Sequence, residues 1–141
     1  MFIDASAIAA VLLREDDAAA MLKAMEAARG KLRFSPVVRL EAVLALARAR
    51  VAGRGKGPAT ADDFDKATEL VDELLDALEA HEVHITTSMG KEAIKALAIY
   101  GKVVGHPAQL NMGDALAYAC AKAYRAPLLY KGDDFKETDL A

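Results

Sequence analysis

Four acidic positions stand apart in this sequence: Asp4, Glu41, Asp114 and the adjacent pair Asp133–Asp134. The other carboxylates have an ordinary reading. Asp62, Asp63, Asp65, Glu69, Asp72, Glu73, Asp76 and Glu79 recur along one helical stretch and read as a solvated face. Asp4 instead closes the apolar run MFID, where it also suits a helix N-cap. Glu41 has Val37 and Val38 one turn before it and Leu44 and Ala45 one turn after. A carboxylate in such a stripe must be paired, protonated or bound to a cation. Arg39 and Arg48 do not share its face. Asp114 lies three residues after Asn111, which suits reciprocal capping as well as chemistry. Asp133 and Asp134 follow PLLY and a glycine, where turn formation is the plain alternative.

Taken together, these acids suggest one chemistry. Three or four carboxylates with no soft ligand among them suit a hard divalent cation, Mg²⁺ or Mn²⁺. Such a cation at such a cluster supports phosphodiester hydrolysis. The acids meet only if the fold brings the ends of several elements to one place.

The elements that must do this are short. MFID reads as a strand, followed by the helical ASAIAAVLL and a second helix over residues 16–28, which Gly30 ends. KLRFS reads as a strand, and Pro36 opens a helix whose Val37, Val38, Leu40, Val43, Leu44, Leu46 and Ala47 predict burial on most sides. Gly53 to Thr60 reads as a loop. Thr60 caps a helix to about Ala80, with Leu70, Val71, Leu74, Leu75 and Leu78 inward. EVHITT is a third strand candidate, and Thr87 or Ser88 caps a helix to Tyr100. Asn111 caps a helix from Met112 to Tyr124, APLLY is the last strand, and KGDDF is a turn. Strands alternating with helices predict an α/β fold: a mostly parallel sheet of four or five short strands flanked by helices. In such a sheet the strand C-termini open onto one crevice. Asp4 and Asp133/Asp134 follow strands, while Glu41 and Asp114 lie near helix starts, so all face that side.

Size and composition narrow the classes. The 141 residues read as one domain over 1–141, with 54% hydrophobic and 28% charged residues. That excludes disorder, and no apolar run approaches the roughly 20 residues of a membrane span. One cysteine, Cys120, allows no internal disulfide and reads as a small core residue. With Asp4 ahead of any basic residue, a secretory signal is not expected, and the protein reads as cytoplasmic. His81, His84 and His106 fit no zinc pattern, the glycine-rich loop fits no phosphate loop, and no serine sits in a nucleophile elbow.

Three segments resemble PIN-domain nucleases, specifically the VapC-like toxins of bacterial toxin–antitoxin modules. They are MFIDASAIAAVLL, SPVVRLEAVLAL and LNMGDALAYACAKAYRAPLLYKGDDFKETDL. The resemblance keeps motif order over nearly the whole chain, and its last block is the most specific. It implies a PIN fold, Mg²⁺-dependent RNA cleavage and a cognate antitoxin. By position, Asp4, Glu41 and Asp114 match the first three acids. Asp134, directly before Phe135, matches the fourth, with Asp133 as the fallback. Asp4 and Asp114 are the implied metal ligands. Ser6 matches a small hydroxyl that supports the first acid, and Asn111 joins it as a supporting residue.

A formal net charge of −3 means that an enzyme acting on RNA needs local basic help. Arg33 and Arg39, and above all Arg48, Arg50, Arg54 and Lys56, are the candidates for backbone contacts. The N-terminal helices carry Ile8, Val11, Leu12, Leu13, Met21, Leu22 and Met25, more than a small core readily absorbs. An exposed remainder predicts an interaction surface, for a homodimer and for an antitoxin segment. Two other functions compete. A phosphatase or receiver domain would use the same cation, but the DxD pattern after the first strand is missing. A non-cutting PIN-like binding module is disfavoured by acids at every motif position.

Overall fold

Each strand of the sheet is only two residues long, so the ladder itself is small and the helices carry most of the packing. The computed structural model describes residues 1–140. β1 (Phe2–Ile3) pairs in parallel with β2 (Arg33–Phe34), and β2 with β3 (His81–Glu82). β4 (Leu128–Leu129) pairs in parallel with the other edge of β1, giving the order β3-β2-β1-β4. Phe2, Ile3, Phe34 and Leu128 are buried, as a parallel sheet covered on both faces requires.

Six α-helices flank the sheet. They are α1 (Ala5–Leu12), α2 (Ala18–Ala27), α3 (Pro36–Arg54), α4 (Ala61–Ala77), α5 (Thr87–Tyr100) and α6 (Met112–Ala123). A 3₁₀ turn, Lys102–Val104, follows α5. α5 packs against α6, and Ala93 and Ala96 of the first and Ala115 and Ala119 of the second are buried.

The chain lays down β1, β2 and β3 in one direction, then returns to place β4 beside β1. The reversal therefore lies between β1 and β4. In open parallel sheets this is where a crevice forms outside the strand C-termini. Asp4 follows β1 at that crevice, and the turn carrying Asp133 and Asp134 follows β4.

Several local readings shift. α3 runs through Gly53, and Gly55 closes it in the left-handed region at φ 80°, so the loop spans 55–60. α4 ends at Ala77, since Glu79 has φ 52°. Thr86, not Thr87 or Ser88, caps α5: its hydroxyl accepts from Met89 N at 3.2 Å. α2 starts at Ala18 behind Asp17, whose carboxylate makes no cap bond.

The burial readings also need correcting. Asp63 is not on the solvated face of α4 but 1% exposed. Leu70 and Leu40 face outward, Leu40 at 56% exposure. Of the N-terminal apolar set, Ile8 and Met25 are fully buried, and only Leu13 counts as exposed. The larger apolar exposures lie elsewhere, at Ile94 (69%), Val103 (85%) and Met112 (72%).

Candidate active site

Asp4 does both things its position allowed. It is the N-cap of α1, with extended backbone (φ −81°, ψ 154°), and its Oδ2 accepts from Ser6 N at 3.0 Å. The same oxygen accepts from the Ser6 hydroxyl at 2.6 Å. Ser6 Oγ in turn accepts from the backbone N–H of Lys131 at 3.0 Å, and Asp4 N donates to Leu129 O at 2.9 Å. The first acid is thus tied to β4 through its backbone and through a two-step side-chain relay. Asp4 is buried, and burial raises its carboxyl pKa against the opposing bonds from Ser6, with the charge of Asp134 adding to the rise.

Asp114 also has a double role. It is the third residue of α6, and a full capping box joins it to Asn111. Asp114 N donates to Asn111 Oδ1 at 2.9 Å, and Asn111 N donates to Asp114 Oδ2 at 3.0 Å. Capping alone would lower its pKa. Instead the carboxyl is pushed up to about 6, by burial first, with the charges of Asp4 and Asp134 contributing and the Asn111 bond opposing.

Glu41 has no such local reason to be where it is. Ser35 caps α3 by accepting from Val38 N at 3.2 Å, and Pro36 pre-forms its first turn. Glu41 is then carried, half-buried, against the start of α6. Its carboxylate makes no ion pair or hydrogen bond among the described residues. Arg39 is occupied by Asp72 and by Glu82, the latter at 3.0 Å. Burial, then the charges of Asp4 and Asp114, push the Glu41 carboxyl up to about 7. Gly113 makes room for it: a Cβ there would stand 2.6 Å from Glu41 Cδ. The glycine of the GD dipeptide is a close-approach residue that composition alone did not reveal.

Both candidates for the fourth acid, Asp133 and Asp134, are exposed. Asp133 has 82% side-chain exposure and pairs with Lys136. Asp134 acts by charge on both Asp4 and Asp114. Gly132, at φ +95°, makes the bend that turns the chain there. Four acids from four separate elements thus act on one another by charge: Asp134 on Asp4 and Asp114, and Asp4 and Asp114 on Glu41.

Among the described residues, no group of three or more His, Cys, Asp or Glu side chains is placed so that it could hold a metal ion. The donor set nevertheless suits a hard divalent ion. It holds only oxygen ligands, burial first and neighbouring carboxylates second lift the pKa of three of them, and Glu41 has no internal counter-charge. Asp4 uses Oδ2 for both of its side-chain bonds and leaves Oδ1 free of any among the described residues.

The basic candidates are not part of this cluster. Arg54 and Arg50 reach Asp63, Arg50 Nε at 3.2 Å and Arg54 Nη2 at 2.8 Å from its oxygens. Bonds from Arg54, then Thr60, hold the Asp63 carboxyl well below the usual range. Asp63 thus fastens the end of α3 to the start of α4, about 20 Å along the α3 axis from Glu41 at about 1.5 Å per residue. Lys56 is exposed just beyond that end, and Arg48 is exposed about 10 Å along α3 from Glu41 at about 1.5 Å per residue. Arg33 stacks over Tyr124 at 4.7 Å. Cys120 is fully buried, and burial raises its thiol to about 11, which fits a core residue and not a nucleophile.

Comparison with known proteins agrees with this geometry. The PIN domain family profile matches residues 1–140. A VapC ribonuclease of Rhizobium meliloti (strain 1021) is 49% identical over 140 residues, covering 99% of this chain and 98% of that protein. Ribonuclease VapC28 of Mycobacterium tuberculosis (strain H37Rv) is 38% identical over 138 residues, 98% of this chain and 93% of that one. Ribonuclease VapC42 of the same organism is 33% identical over 140 residues, 99% and 96% of the two chains. The chain belongs to the PIN domain family.

Proposed function

We propose that this PIN domain is a metal-dependent endoribonuclease and the toxin of a toxin–antitoxin module, working in the cytoplasm. The observation that carries the reading is the convergence of Asp4, Glu41, Asp114 and Asp134, on four different elements, with carboxyl pKa raised at the first three. A monomeric fold gains nothing from such repulsion, so a ligand must repay it. The relatives named as ribonucleases supply the substrate class.

Asp4 and Asp114 would hold Mg²⁺ or Mn²⁺, with Glu41 and Asp134 completing the negative field. Such a cation, when bound, supplies Lewis acidity for phosphodiester hydrolysis. Ser6 keeps Asp4 in one rotamer through its 2.6 Å bond, and Asn111 does the same for Asp114 through the capping box. Glu41, half-buried and without an internal partner, would take a proton from an attacking water. Exposed Lys56, beyond the end of α3, would hold a distant stretch of the RNA backbone, and Arg48, two turns along α3 from Glu41, a nearer one.

Two protein partners complete the proposal. A second copy of the chain would cover exposed apolar surface such as Ile94, Ile99 and Val103. An antitoxin would neutralise the acidic crevice with basic side chains. Among the described residues no helix is long and apolar enough to cross a membrane. The test is cleavage of a mixed RNA substrate by the purified chain, with Mg²⁺ and with a chelator. Mg²⁺-dependent internal cuts support the reading. Intact RNA in both arms overturns it. Light scattering at micromolar concentration tests the dimer, which a mass near 15.0 kDa would contradict.

A further inference from the structure

Asp134 lies in a segment, residues 131–140, that has neither helix nor strand to hold it. Its carboxylate nevertheless sits where it acts on Asp4 and Asp114. Something must fix the start of this segment, and the structure offers one residue with contacts on both sides. The backbone N–H of Lys131 donates to Ser6 Oγ at 3.0 Å, in line with the Ser6 bond to Asp4. Its ammonium reaches the other way, into the α1–α2 connection. There it donates to Glu15 Oε2 and lies 3.4 Å from Asp17 Oδ1.

That second contact is unusual. Asp17 Oδ1 is the one buried side-chain oxygen among the described residues without a hydrogen bond. Asp17 also stands at the N-cap of α2 without making the cap bond that its type would favour. Its carboxylate is turned instead toward Lys131. Two acids thus share one lysine that is 36% exposed, half shielded from solvent. Such a partly shielded pair holds geometry better than a fully exposed one, although its contribution to overall stability is small.

We propose that Lys131 is a positioning residue for the acidic centre: it clamps the turn after β4 between the α1–α2 connection and Ser6, and so sets where Asp134 stands relative to Asp4. This rests on the metal-dependent reading above and adds to it a residue outside the four acids. Lys131 acts through Asp134, not on RNA. Freeing its ammonium from Glu15 and Asp17 therefore impairs the centre, whereas a lysine that contacts RNA would gain from being freed.

The experiment uses the whole chain and Mn²⁺ alone as probe, followed by RNA cleavage in Mg²⁺. Lys131→Met and the double variant Glu15→Gln/Asp17→Asn are each expected to weaken Mn²⁺ binding by calorimetry about tenfold. Each is expected to lower kcat by a similar factor and to leave KM within about twofold. Lys131→Arg restores most of both. In an Asp134→Asn background, Lys131→Met adds less than a twofold loss. Wild-type Mn²⁺ affinity in both clamp variants overturns the proposal. So does a Lys131→Met loss that persists in full with Asp134→Asn, or a Glu15→Gln/Asp17→Asn variant that cleaves faster. If Lys131→Met fails to fold, the double variant decides alone, because it keeps the lysine. A wild type that binds Mn²⁺ but cuts no RNA overturns the nuclease reading, and the clamp is then judged on Mn²⁺ affinities. A wild type that binds no Mn²⁺ overturns both.

Discussion

Replacing Glu41 with Gln removes a charge that the fold holds at a cost, so the metal-free protein should become more stable while losing its function. The Glu41 carboxyl rises from an ordinary 4.5 to about 7 in the folded chain. That rise corresponds to at most roughly 3 kcal/mol of penalty on the ionised form, at about 1.4 kcal/mol per unit. Residual solvent access and the cost of burying an amide reduce the expected gain to about 1–2 kcal/mol. For a domain of this size that is roughly 3–8 °C in Tm. A raised acid binds its proton more tightly in the folded state. The penalty is therefore absent below the ordinary value of 4.5, grows as pH rises, and is complete above about 7. Thermal unfolding of chelator-treated wild type and Glu41→Gln, followed from about pH 4 to pH 8, reads this directly. The curves should coincide at the acid end and separate with the variant higher at the alkaline end. Excess Mn²⁺ should then reverse the order, since the wild type binds the ion more tightly. A variant no more stable than wild type at about pH 8, or a gap unchanged at about pH 4, would refute the reasoning.

Two other substitutions test the supporting structure. Ser6→Ala leaves the Lys131 amide without its acceptor and Asp4 Oδ2 with one bond where it had two. It should cost about 1–2 kcal/mol in denaturant unfolding and about 10–100-fold in cleavage. Gly113→Ala should gain up to about 1 kcal/mol from helix propensity alone. Its methyl group meets the Glu41 carboxylate, so cleavage should fall at least about tenfold with no rise in Tm. A variant that is more stable and fully active would show that Glu41 does not need this close approach.

Much of this was legible in the sequence because the relevant signals are local. Asn111 with Asp114 is a capping box three residues apart and Thr60 an N-cap, and both form. The strand-then-acid order at Asp4 needed only the parallel-sheet rule to point at the crevice. Glu41 stood out because its apolar neighbours offered no partner, and the structure gives it none. What escaped depends on contacts between distant segments. Asp63 looked like any acid on the outer face of α4, since nothing local reveals that Arg50 and Arg54 fold over it. Leu40 fitted an apolar helix, but α3 buries one face and not all of them. Between Asp133 and Asp134 the sequence carries no signal, because adjacent residues of one turn differ only in which way each points. Lys131 was passed over because its partners, Glu15 and Asp17, lie at the other end of the chain.

The account's central claim is that these carboxylates form one cation-dependent centre for RNA cleavage. The most direct test is a Mg²⁺ titration of RNA cleavage by wild type and Asp114→Asn. The substitution removes one charge at nearly constant volume and leaves Asn111 able to cap α6. The wild type should cut RNA internally with saturable Mg²⁺ dependence and stop in excess chelator. The variant should remain folded and lose about a thousandfold or more in rate, as for removal of a transition-state-stabilising group. Wild-type rates in Asp114→Asn at ordinary Mg²⁺, or wild-type cleavage that persists in chelator, would contradict the claim.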